Sequence, residues 1–459
     1  EAYVYALSQH GFVAMIEFWS QDPQALLSQV VAYPFAVTAH PVWWLRVPAM
    51  IAFVGALLAM WWAASARFPR PVALGAAALL AISPLATTYA ADARWPMYSM
   101  LLGLLSWGAL LRAIDGEDRR WWIGYALLVV AGVYTNVILA LVLAAQALPV
   151  LWGGRRAIGR WAACLAAVAV AAIPLIILTA GAGDVNPLFR VRHPAITDIP
   201  GFVAEILGGG APGRARQILV LVIVAVVVTA GIRLRSDLRG PEARLGWLAL
   251  SWAAVPILAA WVLSQGTNSI WLPRYVIGAL PGVCILLAWA LWRLPRPAMA
   301  VAPAAIIPLM LFGVARQATG DAEPTGTWTR AILAARPAGA PVVFYEAEGA
   351  QAAGYFARSL ASADGGPIVP GWDETPLPPE ITLLDSPNFD RLEKGPPSAA
   401  LVERLAASTP SGVVVLALRP ADPEGPGIVW ARAHCTVERT NFTDSPTAVF
   451  RVSECVPGG

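Results

Sequence analysis

Residues 45 to 70 read LRVPAMIAFVGALLAMWWAASARFPR: an arginine, an uncharged run from Val47 to Ala66, then Arg67 and Arg70. An α-helix rises about 1.5 Å per residue, so about 20 apolar residues cross a hydrocarbon core about 30 Å thick. The run has that length and arginines close its far end. Such a unit predicts a membrane-crossing helix with its arginines held on one side.

The unit recurs along the first two-thirds of the chain. About ten segments qualify, over approximately 45 to 64, 72 to 89, 97 to 112, 121 to 137, 138 to 152, 161 to 180, 216 to 232, 245 to 263, 274 to 292 and 297 to 315. The fourth and fifth form a hairpin pinched at Tyr134, Thr135 and Asn136. Composition agrees, with 58% hydrophobic and 13% charged residues, where soluble globular chains carry about 25% charged. The net charge is only +3 and the arginines sit in short clusters between apolar runs. That distribution offers no basic face for nucleic acid, which is excluded as a partner. Membrane lipid is the partner it implies.

Short arginine-rich loops stay cytoplasmic. Arg67 and Arg70, then Arg112, Arg119 and Arg120, then Arg155, Arg156 and Arg160, then Arg233, Arg235, Arg239 and Arg244, then Arg293 and Arg296 fall in every second loop. All of these loops agree on one side. Residues 1 to 44, 90 to 96, 181 to 215, 264 to 273 and the tail from about 318 are then expected to face outward. The chain opens at Glu1 in mid-pattern, and an earlier helix is expected before it.

Two domains are therefore expected: a polytopic α-helical membrane domain over residues 1 to 318 and a water-soluble extracytoplasmic α/β domain over 319 to 459. In the tail, helix candidates at Trp328 to Arg336, 350 to 360 and 399 to 408 alternate with strand candidates at 341 to 345, 381 to 385, 412 to 418, 435 to 441 and 447 to 453. The stretch from 363 to 398, rich in Pro, Gly and Asp, reads as a long loop. Cys435 and Cys455 flank the last two strands, and an oxidising outer compartment would pair them as a disulfide. Cys164 and Cys284 lie in apolar runs, where a thiol packs as a small apolar group. There is no phosphate-cradling glycine loop and no metal-spaced Cys and His set.

Ionisable residues at the outward helix ends are the candidates for chemistry, because charges near a bilayer are costly unless paired or used. Asp92 and Arg94 lie in the short loop Tyr89-Ala-Ala-Asp-Ala-Arg94-Trp-Pro-Met-Tyr98. A solvated turn is the alternative for that pair, and an interfacial aromatic belt the alternative for Tyr89, Trp95 and Tyr98. Arg274 opens a helix beside Tyr275; it either snorkels to head groups or holds a phosphate through its planar fork. Glu1, Glu17 and Asp22 are the carboxylates of the first outward segment, and a carboxylate beside a bound sugar can act as general base. His10, His40, His193 and His434 lack metal-ligand spacing and read as ordinary polar contacts.

Several short patterns then coincide in order. Glu1-Ala2-Tyr3 looks like the end of the Asp-Glu-Ala-Tyr motif in the first outward loop of GT-C enzymes, the superfamily of polyprenyl-phosphate-sugar glycosyltransferases that includes the protein mannosyltransferase and aminoarabinose transferase groups. Asp22-Pro23 falls where those enzymes have Asp-x-His-Pro-Pro, and Leu45-Arg46-Val47-Pro48 where they have Arg-Leu-Pro-Ser. Ser83-Pro84, Tyr89 and Asp92-Ala93-Arg94 are similar to their Ser-Pro, Tyr-x-x-Glu-Ala-Arg stretch. Tyr134-Thr135-Asn136 resembles Tyr-Thr-His, and Pro273-Arg274-Tyr275 with Pro281 resembles the late Arg-Tyr helix opening. The chain departs from the pattern in lacking the histidine after Asp22 and in carrying Asn136 for the hairpin histidine.

The resemblance implies an inverting transfer of a sugar from a polyprenyl phosphate to a glycan, glycolipid or protein hydroxyl on the outer face of a bacterial plasma membrane. Carried over by matching position, Asp22 or the acid at Glu1 is the base, with Asp184 as an outside alternative. Arg94 and Arg274 hold the donor phosphate, Asp92 orients Arg94, and Tyr89, Tyr98 and Tyr275 line the site. The arginine-dominated composition, rich in alanine and proline, points to a high-GC bacterium such as an actinobacterium, for which the resemblance favours mannose or arabinofuranose as the sugar. The competing function is a non-enzymatic transporter or flippase of lipid-linked intermediates, which calls for ionisable or broken-helix features at mid-membrane.

Overall fold

Proline and apolar length together write the helical part of this protein. In the computed structural model, Pro48, Pro71, Pro84, Pro96 and Pro241 each sit in the first turn of a helix, where the missing N–H has no intrahelical acceptor to lose. The structure describes residues 12–19, 26–37, 44–116, 118–181, 193–208, 213–234, 240–266, 269–319, 334–335, 342–344, 399–408, 412–418, 425–441 and 448–456. The chain divides into two compact units, one of residues 19–35 and 45–320, the other of residues 1–18, 36–44 and 321–459.

All ten apolar segments fall on helices. In order these are Val47–Ala64, Arg70–Ala81 with Pro84–Ala90, Pro96–Asp115, Arg119–Thr135, Ala140–Trp152, Gly154–Ala171 with Ile173–Gly181, Gly213–Leu234, Pro241–Leu263, Leu280–Trp292 and Arg296–Thr319. Among the described residues five helices are long and apolar enough to cross a membrane, or six when the bent pair Arg70–Ala81 and Pro84–Ala90 is one span. Two of the segments are thus not single straight helices. The pair at 70–90 turns by 60° where Ser83 and Pro84 interrupt the ladder, and Gly154–Ala171 ends at Ala172, two residues before Pro174. The end of the 264 to 273 loop differs too, since Pro273–Ala279 is a 3-10 turn that only becomes an α-helix at Leu280.

Burial differs sharply between the helices. Most of Pro273–Trp292 is buried, whereas Arg296–Arg316 is buried over only 17% of its length and exposes Val301, Ile307, Leu311 and Phe312. A contiguous exposed apolar surface of that kind marks a membrane or protein contact. In the core, Trp107 stacks on Trp252 with ring centroids 4.1 Å apart, and the Trp252 indole N–H donates to the Gly278 carbonyl at 3.0 Å. Gly282 lets two central helices touch, because a Cβ there would lie 2.5 Å from the Ala253 backbone nitrogen. One polar network inside the bundle is fully paired: Tyr125 donates to Gln146 at 2.8 Å, Gln146 to Ser106 at 3.1 Å, and the Trp161 indole to Tyr125 at 2.8 Å.

The second unit holds a four-stranded sheet in the order β1 (Val342–Phe344), β2 (Val414–Leu418), β4 (Ala448–Ser453), β3 (Thr436–Asn441). β1 and β2 are parallel, with Val343 opposite Leu416, and the other pairs are antiparallel, with Leu416 opposite Phe450 and Phe450 opposite Arg439. The expected strands at 412 to 418, 435 to 441 and 447 to 453 and the helix at 399 to 408 are present. The candidates at 350 to 360 and 381 to 385 lie outside the described residues. A helix over Pro426–His434 was hidden by the Gly-Pro-Gly start of its sequence, which reads as a loop but here supplies an extended Gly425 and a first-turn proline. Cys435 and Cys455 are joined in a disulfide beside a small core that includes Val402, Val414, Ile428 and Phe450.

Candidate active site

Three segments of the helical unit meet around Tyr89: the short helix Pro84–Ala90, the 3-10 turn Pro273–Ala279 and the helix Ile199–Gly208, each packed on the other two. The first begins where the Ser83 hydroxyl accepts the Ala86 N–H at 3.5 Å, and the Thr88 hydroxyl donates back to the Pro84 carbonyl at 2.9 Å. This bend delivers Tyr89 and the loop after it. Close approach is needed at the same place, since a Cβ on Gly313 would meet the Gly208 carbonyl at 2.7 Å and the Pro84 ring at 2.8 Å.

The loop is not a solvated turn. Asp92 is 8% exposed, and its carboxylate accepts the Arg94 backbone N–H at 3.2 Å, Nε at 2.7 Å and Nη2 at 2.6 Å. The Asp-x-Arg spacing thus builds an Asx-type turn whose acid also aims the guanidinium of the residue it caps. Burial of the acid is offset by that charge-assisted pairing. Arg94 keeps 42% side-chain exposure, so the oriented cation remains accessible.

Arg274 heads the 3-10 turn and is half-buried. Its guanidinium carbon lies 5.2 Å from the Tyr275 ring centre, and among the described residues no carboxylate is within ion-pair distance of it. Tyr275 is buried and stacks on Trp95 with centroids 5.6 Å apart and planes 14° apart. The two arginine-bearing segments are therefore locked to each other by their neighbouring aromatic residues. The charges of Arg94, Arg274, Asp92 and Glu205 all act on the Tyr89 phenol. Tyr98 follows one turn into the next helix, with its hydroxyl buried and without a hydrogen-bond partner among the described residues.

Of the residues singled out in the sequence, Tyr89, Asp92, Arg94, Arg274 and Tyr275 come together. Glu1, His10, Asp22, His40 and Asp184, with the side chain of Glu17, lie outside the described residues. His193 is a structural contact: its Nδ1–H donates to the Ser264 carbonyl at 2.7 Å. His434 stacks on Trp430 in the second unit. Asn136 caps the turn Val137–Leu139, its side-chain oxygen accepting the Ile138 N–H at 2.8 Å. Among the described residues no group of three or more His, Cys, Asp or Glu could hold a metal ion.

Glu205 is the residue that sequence reading missed. Its segment carries apolar residues at Ile199, Phe202, Val203, Ile206 and Leu207, the spacing of an amphipathic helix. Pro200 and Gly201 at its start mask that signal.

Arg94 and Arg274 thus sit on segments joined by the Trp95–Tyr275 stack, and planar guanidinium forks can pair with phosphate oxygens through two hydrogen bonds each. The same groups would stabilise charge that grows on a phosphate as it leaves.

Fold and composition define a polytopic α-helical membrane protein with a small C-terminal sheet domain. The chain is similar in structure to ArnT from Cupriavidus metallidurans bound to undecaprenyl phosphate, at 13% identity over 93% of this chain and 86% of that one, with a TM-score of 0.55. ArnT in the apo state gives 13% identity, the same coverages and a TM-score of 0.56. No family model and no curated protein matches the chain.

Proposed function

We propose that this protein is an integral membrane glycosyltransferase that moves a sugar from a polyprenyl-phosphate donor to a hydroxyl of a cell-envelope glycan, glycolipid or protein. The observation that carries the reading is that Arg94, oriented by Asp92, and Arg274 sit on segments joined by the Trp95–Tyr275 stack. The ArnT likeness supports it, because that fold has been seen with undecaprenyl phosphate bound. Mannose and arabinofuranose are the favoured sugars by motif resemblance.

In the reaction the acceptor hydroxyl oxygen attacks the anomeric carbon from the face opposite the phosphate. The bond from that carbon to the phosphate oxygen breaks, its electron pair leaves with polyprenyl phosphate, and the hydroxyl proton passes to a carboxylate. Asp22 or Glu1 is the proposed base, while Arg94 and Arg274 hold the phosphate before and after the break. The loop after Tyr89 lies at the arginine-poor end of the bundle, which supports an extracytoplasmic site. Residues 1 to 318 form the catalytic domain in this reading, and residues 319 to 459 a soluble extracytoplasmic α/β domain.

The test incubates purified protein with radiolabelled polyprenyl-phosphate mannose or polyprenyl-phosphate arabinofuranose and a panel of membrane extracts. Transfer of label to an acceptor by the wild type, and its loss in Arg94→Ala, is the expected result. Lipid movement between leaflets of a liposome without any bond cleavage would replace this reading with that of a transporter.

A further inference from the structure

The helix Ile199–Gly208 brings a second acid to the site. Phe202, Ile206 and Leu207 are buried, and Phe202 stacks on Trp271 with centroids 4.0 Å apart. Trp271 lies three residues before Arg274 in the same segment. Side chains three apart on a helix are surface neighbours, so Glu205 stands beside Phe202, on the flank of the face that packs against Pro84–Ala90 and Pro273–Ala279. Glu205 is exposed, and among the described residues it has no ion-pair or hydrogen-bond partner.

Asp92 already serves Arg94, so Glu205 is not needed to pair that cation. A carboxylate within roughly a Debye length, about 8 Å, of a bound phosphate repels it. Its sign is useful only towards another part of the ligand. Sugar hydroxyls are donors, a carboxylate has two acceptor oxygens, and hydrogen bonds to an ionised acceptor are the stronger kind.

We propose that Glu205 accepts hydrogen bonds from hydroxyls of the sugar carried on the lipid phosphate and thereby selects the loaded donor over the bare polyprenyl phosphate left after transfer. The proposal rests on the lipid-linked-sugar reading above. Repulsion between Glu205 and the phosphate is compensated while the sugar is attached and is unopposed once it has gone. Product release is favoured by the same residue that holds the substrate.

The experiment titrates the full chain, reconstituted in lipid nanodiscs, with polyprenyl-phosphate mannose, polyprenyl-phosphate arabinofuranose and polyprenyl phosphate, following intrinsic tryptophan fluorescence. Wild-type protein binds at least one sugar-bearing lipid more tightly than the bare phosphate. Glu205→Gln weakens the preferred sugar-bearing lipid by about tenfold and binds polyprenyl phosphate as tightly as the wild type or more tightly. Glu205→Asp, the fallback should the Gln variant fail to fold, shifts the same ratio in the same direction by a smaller factor. A parallel loss for all the lipids, or no change for any, overturns the assignment. Wild-type protein that binds none of the three overturns the lipid-donor reading and this assignment together, whereas normal binding lost in Arg274→Ala but unaltered in Glu205→Gln overturns the assignment alone.

Discussion

Trp95 and Tyr275 stack nearly face to face, 5.6 Å between centroids and 14° between planes, and each is the immediate neighbour of an arginine proposed to hold phosphate. The stack joins a loop between two helices to a 3-10 turn far along the chain. It fixes the separation of Arg94 and Arg274 through backbone that neither arginine controls.

Loss of this stack should uncouple the two arginines. Trp95→Ala removes an aromatic pair worth about 0.5–1.5 kcal/mol beyond its buried area, and polyprenyl-phosphate binding should weaken by about three- to tenfold. Trp95→Phe should restore most of the affinity. Titration of the three proteins in nanodiscs decides it, and equal affinities for all three would remove the stack from the account.

Asp92 aims Arg94 without supplying any positive charge of its own. Asp92→Ala should therefore lower the transfer rate by roughly tenfold to a hundredfold, in line with the cost of misplacing a catalytic group, while changing donor affinity less than Arg94→Ala does. Comparing kcat with KM for the two variants separates orientation from binding. A larger loss of affinity in Asp92→Ala than in Arg94→Ala would contradict this division of roles.

Helix contact at Gly282 makes a stability prediction independent of function. A Cβ at this position would lie 2.5 Å from the Ala253 nitrogen and 2.6 Å from the Trp252 carbonyl carbon, so backbone must move to admit it. Gly282→Ala should destabilise by about 1–3 kcal/mol, the usual cost of overpacking. Gly124, also helical, has open space at its Cβ position, and Gly124→Ala should leave thermal unfolding in detergent unchanged or raise it slightly.

The disulfide Cys435–Cys455 staples the second unit across β3 and β4. Its removal by Cys435→Ala with Cys455→Ala should cost about 2–4 kcal/mol. Limited proteolysis should then cut the region after residue 399 faster, with the helical unit as resistant as before.

Much of this was legible in the sequence because a bilayer imposes length and polarity so strictly. Every apolar run became helical, and Asp92, Arg94 and Arg274 stood out as charges at helix ends. What the runs could not show was how each is interrupted. The 60° turn at Ser83 and Pro84 and the 3-10 turn before Leu280 both come from proline acting with tertiary contacts that a hydropathy pattern does not contain. Glu205 was illegible for a related reason. Its helix has an amphipathic pattern, but the acid gains meaning only through the stacking of Phe202 on Trp271. The spacing of Asp92 and Arg94 fitted a solvated turn equally well until burial separated the two readings.

Arg94 and Arg274 are proposed to hold one phosphate. A double-mutant cycle on polyprenyl-phosphate binding, with Arg94→Ala, Arg274→Ala and the double variant, tests it most directly. Two forks on one ligand group should give strongly non-additive losses: each single variant loses most of the affinity, and the double variant is little worse than either. Strictly additive losses, or undiminished binding in either single variant, would contradict a shared phosphate site.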